Sequence, residues 1–80
     1  QGGAEVMEGE VLETSPLAGK TLREAELPDD ITIGAVIHEG KVLFPTPDLL
    51  VRQGDKVILL AERSAMKAIE AMFRVSTDYF

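Results

Sequence analysis

Two short runs rich in branched and aromatic residues, Ile31 to His38 and Lys41 to Phe44, are separated by nothing but Glu39-Gly40. A two-residue link with glycine second suits a tight turn, so the runs must fold back on each other as an antiparallel hairpin. The link sets a register in which His38 faces Lys41, Ile37 faces Val42, Val36 faces Leu43 and Ala35 faces Phe44. Side chains alternate along a strand. One face therefore carries Ile33, Ala35, Ile37, Val42 and Phe44, and the other Gly34, Val36, His38, Lys41 and Leu43. The first set reads as a core face. The second is half apolar, more than a freely solvated face needs, which marks Gly34, Val36 and Leu43 as candidates for a pairing surface.

The hairpin sits between simpler signals. Pro45-Thr46-Pro47-Asp48 ends it, because proline cannot donate to a ladder and restricts the residue before it. Upstream, Ala4 to Glu13 (AEVMEGEVLE) reads as a strand with a bulge or bend at Gly9. Ser15-Pro16 suits the start of a helix, but Gly19 argues against a long one. Thr21 and Glu24 have capping-box spacing, predicting a short helix over about Leu22 to Glu26, ended by Pro28. Downstream, Leu49 to Val51 is a short apolar segment and Gln53-Gly54-Asp55 a turn. Val57 to Ala61 (VILLA) is an unbroken apolar run, the pattern of a strand buried on both faces. Ser64 is placed to cap a last helix in which Met66, Ile69 and Phe73 form a narrow apolar stripe, joined by Met72; this set reads as core. The terminal aromatics Tyr79 and Phe80 are expected to be covered. The predicted order is β-α-β-β-β-α, a small α+β fold with a central hairpin.

Eighty residues make a single domain over 1–80. A core of this size supplies about 3–5 kcal/mol, so partners or staples are commonly recruited. No cysteine is present to make a disulfide or a thiolate metal site, which leaves self-association. The net charge of −6 and pI near 4.6 argue against nucleic acid as a partner and against adhesion to anionic lipid. No stretch approaches the ~20 apolar residues of a membrane span, so direct membrane insertion is not expected. The start at Gln1, without Met or a leader pattern, suggests a piece of a longer protein.

Residues that could carry chemistry are few. His38 is the only histidine, and as a ligand or base it has Glu39 alone beside it in sequence. Glu5, Glu8, Glu10 and Glu13 could offer oxygen ligands to a hard cation, yet they lack any closed-loop spacing and read as a solvated edge strand. No nucleophile triad, paired-carboxylate site, P-loop or GxGxxG occurs. The expectation is a non-enzyme with no catalytic residue, no metal site and no cofactor in this chain.

Three phrases in order, SPLAGKTLRE from Ser15, IGAVIHEGKVLFP from Ile33 and GDKVILLA from Gly54, resemble the TrkA-C domain, the C-terminal half of the RCK regulators of potassium conductance. The resemblance covers Glu5 to Phe80, and the ending Arg74 to Phe80 is similar to the C-terminal end of TrkA-type potassium-uptake subunits. It implies a cytoplasmic subunit, peripheral to the inner membrane, that serves a potassium-translocating membrane protein. It also implies NAD(H) or ATP in a neighbouring Rossmann-type domain outside this chain. TrkA-C units of the family form homodimers and can hold a second ligand at the dimer cleft, cyclic di-adenosine monophosphate being the best known. Carried onto this sequence, the cleft would be lined by Ile33, Val36, His38 and Pro45, with the Thr46 hydroxyl as a donor and the Ile33–Val36 stretch as apolar wall. Many members have arginine where this chain has His38. Two alternatives stay open beside a ligand-sensing potassium regulator: a purely structural dimerisation module, or a sensor serving another cation transporter.

Overall fold

The computed structural model describes residues 3–76. Its elements are Ala4–Val11 (β1), Lys20–Thr21 (β2), Leu22–Ala25 (α1), Ile31–His38 (β3), Lys41–Leu43 (β4), Leu50–Val51 (β5), Lys56–Glu62 (β6), a 3-10 turn at Arg63–Ala65, Met66–Met72 (α2) and Phe73–Ser76 (β7). Five strands form one antiparallel sheet in the order β4-β3-β6-β1-β7, and β2 and β5 make a separate ladder of two residues each. The α+β class holds. The strands β2, β5 and β7 are additions to the predicted order; Phe73 belongs to β7 and not to the last helix. Tyr79 and Phe80 lie outside the described residues.

The hairpin turn is built as the sequence demands. Glu39 and Gly40 both take positive φ, 50° and 79°, the primed turn whose twist matches its strands. Pairings of Val36 with Leu43, Ile37 with Val42 and His38 with Lys41 follow the predicted register. Ala35 and Phe44 do not pair, because β4 ends at Leu43.

The faces, however, are reversed. In the β3–β6 ladder Ile33 pairs with Leu59 but Ala35 pairs with Ile58, so Gly34 is an extra residue bulged out of register. A bulge of one residue inverts the alternation beyond it. Ile31 and Ile33 point inward before Gly34, and Val36 and Leu43 point inward after it; Val36 is fully buried and Leu43 packs against the core. Ile37 lies outward, half-buried, while Val42 is 55% exposed and Phe44 80%. The face drawn from sequence through Val36 and Leu43 as a pairing surface is thus the domain's own core face.

That core gathers Met7 and Val11 of β1, Val57, Leu59 and Ala61 of β6, and Phe73 of β7 with Leu17, Val51, Ile69 and Met72. Ile69 and Met72 are the buried residues of α2, which covers the inner side of the sheet. Gly9 is neither bulge nor bend. It keeps regular pairing with Val57 and Val75, and a Cβ there would stand 2.7 Å from the Phe73 Cβ, so glycine is what lets Phe73 close over β1. The predicted capping box is present: Thr21 Oγ1 accepts from the Glu24 N–H at 3.2 Å and Glu24 Oε1 from the Thr21 N–H at 2.9 Å. The Thr21 backbone N–H, foremost, holds the Glu24 carboxyl below the ordinary glutamate range.

Candidate functional site

Among the described residues, the outer side of the five-stranded sheet has no helix on it to match α2. Its strands place Val42 beside Ile37, Ala35 beside Ile58, and Leu60 between Thr32 and Val6. Val6 is 40% exposed and Leu60 42%, against complete burial of the inward-facing Val36 and Val57. An apolar band therefore crosses four strands, with exposed Phe44 at the β4 rim. Polar groups collect at one end, where Glu8 and Glu10 of β1 pair in register with Ile58 and Lys56 of β6 and with Ser76 and Arg74 of β7. The signal in the sequence was the VILLA run: a strand apolar on both sides asks for cover on both, and the described residues supply it on one.

A second feature joins the hairpin tip to the β5–β6 turn. His38 Nδ1–H donates to Asp55 Oδ1, and Asp55 Oδ2 accepts the Arg52 N–H at 2.9 Å. Asp55 is 4% exposed, a buried carboxylate with both oxygens engaged. A carboxylate accepts and does not donate, so Nδ1 carries the proton and the ring is locked with Nε2 on the far side. Glu39 Oε2 lies 3.7 Å from that Nε2. Sequence reasoning saw only Glu39 beside His38; Asp55 comes from 17 residues away across the sheet.

The proposed cleft residues do not assemble as one wall. Ile33 and Val36 face the core, Gly34 is the bulge, and Ala35 turns outward. His38 is part-buried at the sheet end, Pro45 half-buried, and Thr46 exposed, with its carbonyl accepting the Leu49 N–H at 3.0 Å. The surface hollow of about 300 Å³ lined by Glu10, Glu13, Gln53 and Arg74 includes none of them.

The acidic strand also differs from expectation. β1 is not an edge but lies between β6 and β7. Glu8 approaches Lys56 Nζ at 3.9 Å and Glu5 approaches Arg63 Nε at 3.5 Å, surface pairs of small worth. Among the described residues, no three His, Cys, Asp or Glu side chains are placed to hold one ion.

Among the described residues, the antiparallel sheet has one helix-covered face and one face with an exposed apolar band. The family is plain. The TrkA-C domain model matches residues 6–74, and the chain belongs to that family. The chain is 44% identical over 99% of its length to the Trk system potassium uptake protein TrkA of Azorhizobium caulinodans, of which it covers 17%. It is 31% identical over 89% of its length to TrkA homolog 2 of Methanosarcina mazei, covering 16% of that protein. Against the TrkA homolog of Pyrococcus abyssi it is 35% identical over 85% of its length, covering 30%. The chain thus spans a sixth to a third of these relatives. No helix among the described residues is long and apolar enough to cross a membrane.

Proposed function

We propose that this chain is a regulatory domain of a TrkA-type subunit, and that it acts in potassium uptake by pairing with a second copy through the outer face of its sheet. The supporting observation is the apolar band from Val42 to Val6 on an uncovered sheet face. An uncovered apolar face is the physical mark of an interaction surface. Burying it stabilises the pair at about 25 cal/mol per Å² of apolar area, less the cost of association. In a subunit peripheral to a potassium-translocating membrane protein in the cytoplasm, the angle between paired domains would be the mechanical output. Any ligand that binds one arrangement better than another would bias that angle, and NAD or ATP would act through the separate nucleotide-binding domain.

The test is rubidium uptake by cells producing a full-length TrkA protein that carries this domain. Val42→Asp with Leu60→Asp should abolish regulated uptake while the protein accumulates normally. Full uptake by the double variant would overturn the pairing role.

A second reading, pairing without a ligand, is favoured by one observation: Val36 is buried in the core and so is not free to line a cleft. A thermal-shift panel of nucleotides and cyclic dinucleotides separates the two. A true ligand at a hundredfold excess over its dissociation constant stabilises by about 2.7 kcal/mol; silence across the panel leaves the structural role.

A further inference from the structure

The hairpin tip places the His38 ring and the Glu39 carboxylate side by side, Nε2 3.7 Å from Oε2. We infer that His38 Nε2 and the Glu39 carboxylate form a binding site for a divalent transition-metal ion of the zinc, cobalt or nickel kind, with buried Asp55 as the group that orients the imidazole.

Three observations carry this. His38 Nδ1–H donates to Asp55 Oδ1, which leaves Nε2 as the ring nitrogen free to ligate. Metal-bound imidazoles almost always donate their other N–H to a carboxylate or carbonyl, which fixes the tautomer and makes the ligating nitrogen more basic. Here that partner is itself held, by the Arg52 N–H at 2.9 Å, and is buried. The Glu39 side chain leaves the chain at a φ of 50°, set by the tight turn, and brings Oε2 to 3.7 Å from Nε2. An ion bound tetrahedrally at ordinary Zn–N and Zn–O lengths sets two such donors about 3.4 Å apart. The exposed Glu39 carboxylate closes that difference by a small rotation.

Donor chemistry selects the ion class. Imidazole with carboxylate suits zinc, cobalt and nickel, whereas calcium and magnesium want oxygen ligands alone. The chain contributes two donors, so the remaining positions go to water. Lys41, opposite His38 in the β3–β4 ladder, is the nearby cation in register and lowers the affinity. The alternative occupant of the same geometry is a proton on Nε2 drawing in Glu39, and the experiment distinguishes the two.

The experiment is a titration of the 80-residue chain with Zn²⁺ at neutral pH, observing the His38 ring nitrogens by NMR, with Co²⁺ as a second probe. The expected result is a saturable change centred on Nε2, with one ion per hairpin, and a Co²⁺ effect confined to residues around 38–41 and 55. Asp55→Asn should weaken binding about 10–100-fold, the range for loss of such an orienting partner. Glu39→Gln, at an exposed position that leaves the fold intact, should weaken it at least about tenfold. Binding that persists in His38→Gln overturns the inference, as does a Zn²⁺ effect that spreads along β1 instead. A ring that responds to pH but not to Zn²⁺ at millimolar concentration assigns the pair to the proton and overturns it too.

Discussion

The two faces of the central sheet differ in composition and in cover. The inner face carries Met7, Val11, Val36, Val57, Leu59 and Phe73, all buried beneath α2 and the segment around Leu17. The outer face carries Val6, Ala35, Ile37, Val42, Ile58 and Leu60 beside Thr32, Glu8, Glu10, Lys56 and Arg74, and nothing within the described residues of the chain lies over it. Apolar residues on the inner face specify the fold. Those on the outer face cost little to expose singly, but they form a contiguous apolar band, the kind of patch that serves interaction. Substitutions on the inner face should therefore destroy stability, and equivalent ones on the outer face should destroy association.

The largest effect is expected at the bulge-shifted position that sequence alone assigned to the wrong side. Val36→Asp buries an unpaired charge in a fully enclosed site and should cost more than about 4 kcal/mol, leaving the chain unfolded by circular dichroism. A folded Val36→Asp variant would break the comparison. Gly9→Val comes next, because its Cβ would press on a Phe73 Cβ fixed to the β7 backbone. It should lower stability by about 1–3 kcal/mol, read as a lower urea midpoint. Asp55→Ala removes the acceptor of both His38 and the Arg52 N–H and should cost about 1–3 kcal/mol in the same assay.

A smaller effect belongs to neither face. Glu24 closes the α1 capping box, and its carboxyl is held below the ordinary range foremost by the Thr21 backbone N–H. A depressed carboxylate contributes stability that is present above its unfolded-state value and is lost as the pH falls through the folded one. The Thr21 amide resonance should therefore report a transition at acid pH, below the usual glutamate value, and Glu24→Gln should remove it. A transition at the ordinary value would show that the box does not persist in solution.

Much of this was legible in the chain. The Glu39-Gly40 turn set three of the hairpin pairs, and Thr21 with Glu24 announced the cap. The face assignment failed at a single residue: Gly34, read as one member of an alternating strand, is a bulge, and one extra residue inverts everything after it. The register was right and the inside was wrong. The segment after Met72 looked helical by its Met66, Ile69, Phe73 spacing, yet its β-branched Val75 pairs with Gly9 and extends the sheet. β2 and β5 are two residues each, too short to leave a periodicity. The His38–Asp55 bond was hidden because nothing local links a hairpin tip to the next turn; only the sheet brings them together.

The central claim, that the uncovered face is where a second copy binds, is tested most directly by sedimentation equilibrium of the 80-residue chain and its Val42→Asp, Leu60→Asp double variant. The account predicts reversible dimers of the wild type. It predicts a dissociation constant raised at least about tenfold in the variant, or 1.4 kcal/mol of association, with an unchanged circular dichroism spectrum. A wild type that stays monomeric at tens of micromolar, or a variant that associates as tightly as the wild type, would contradict it.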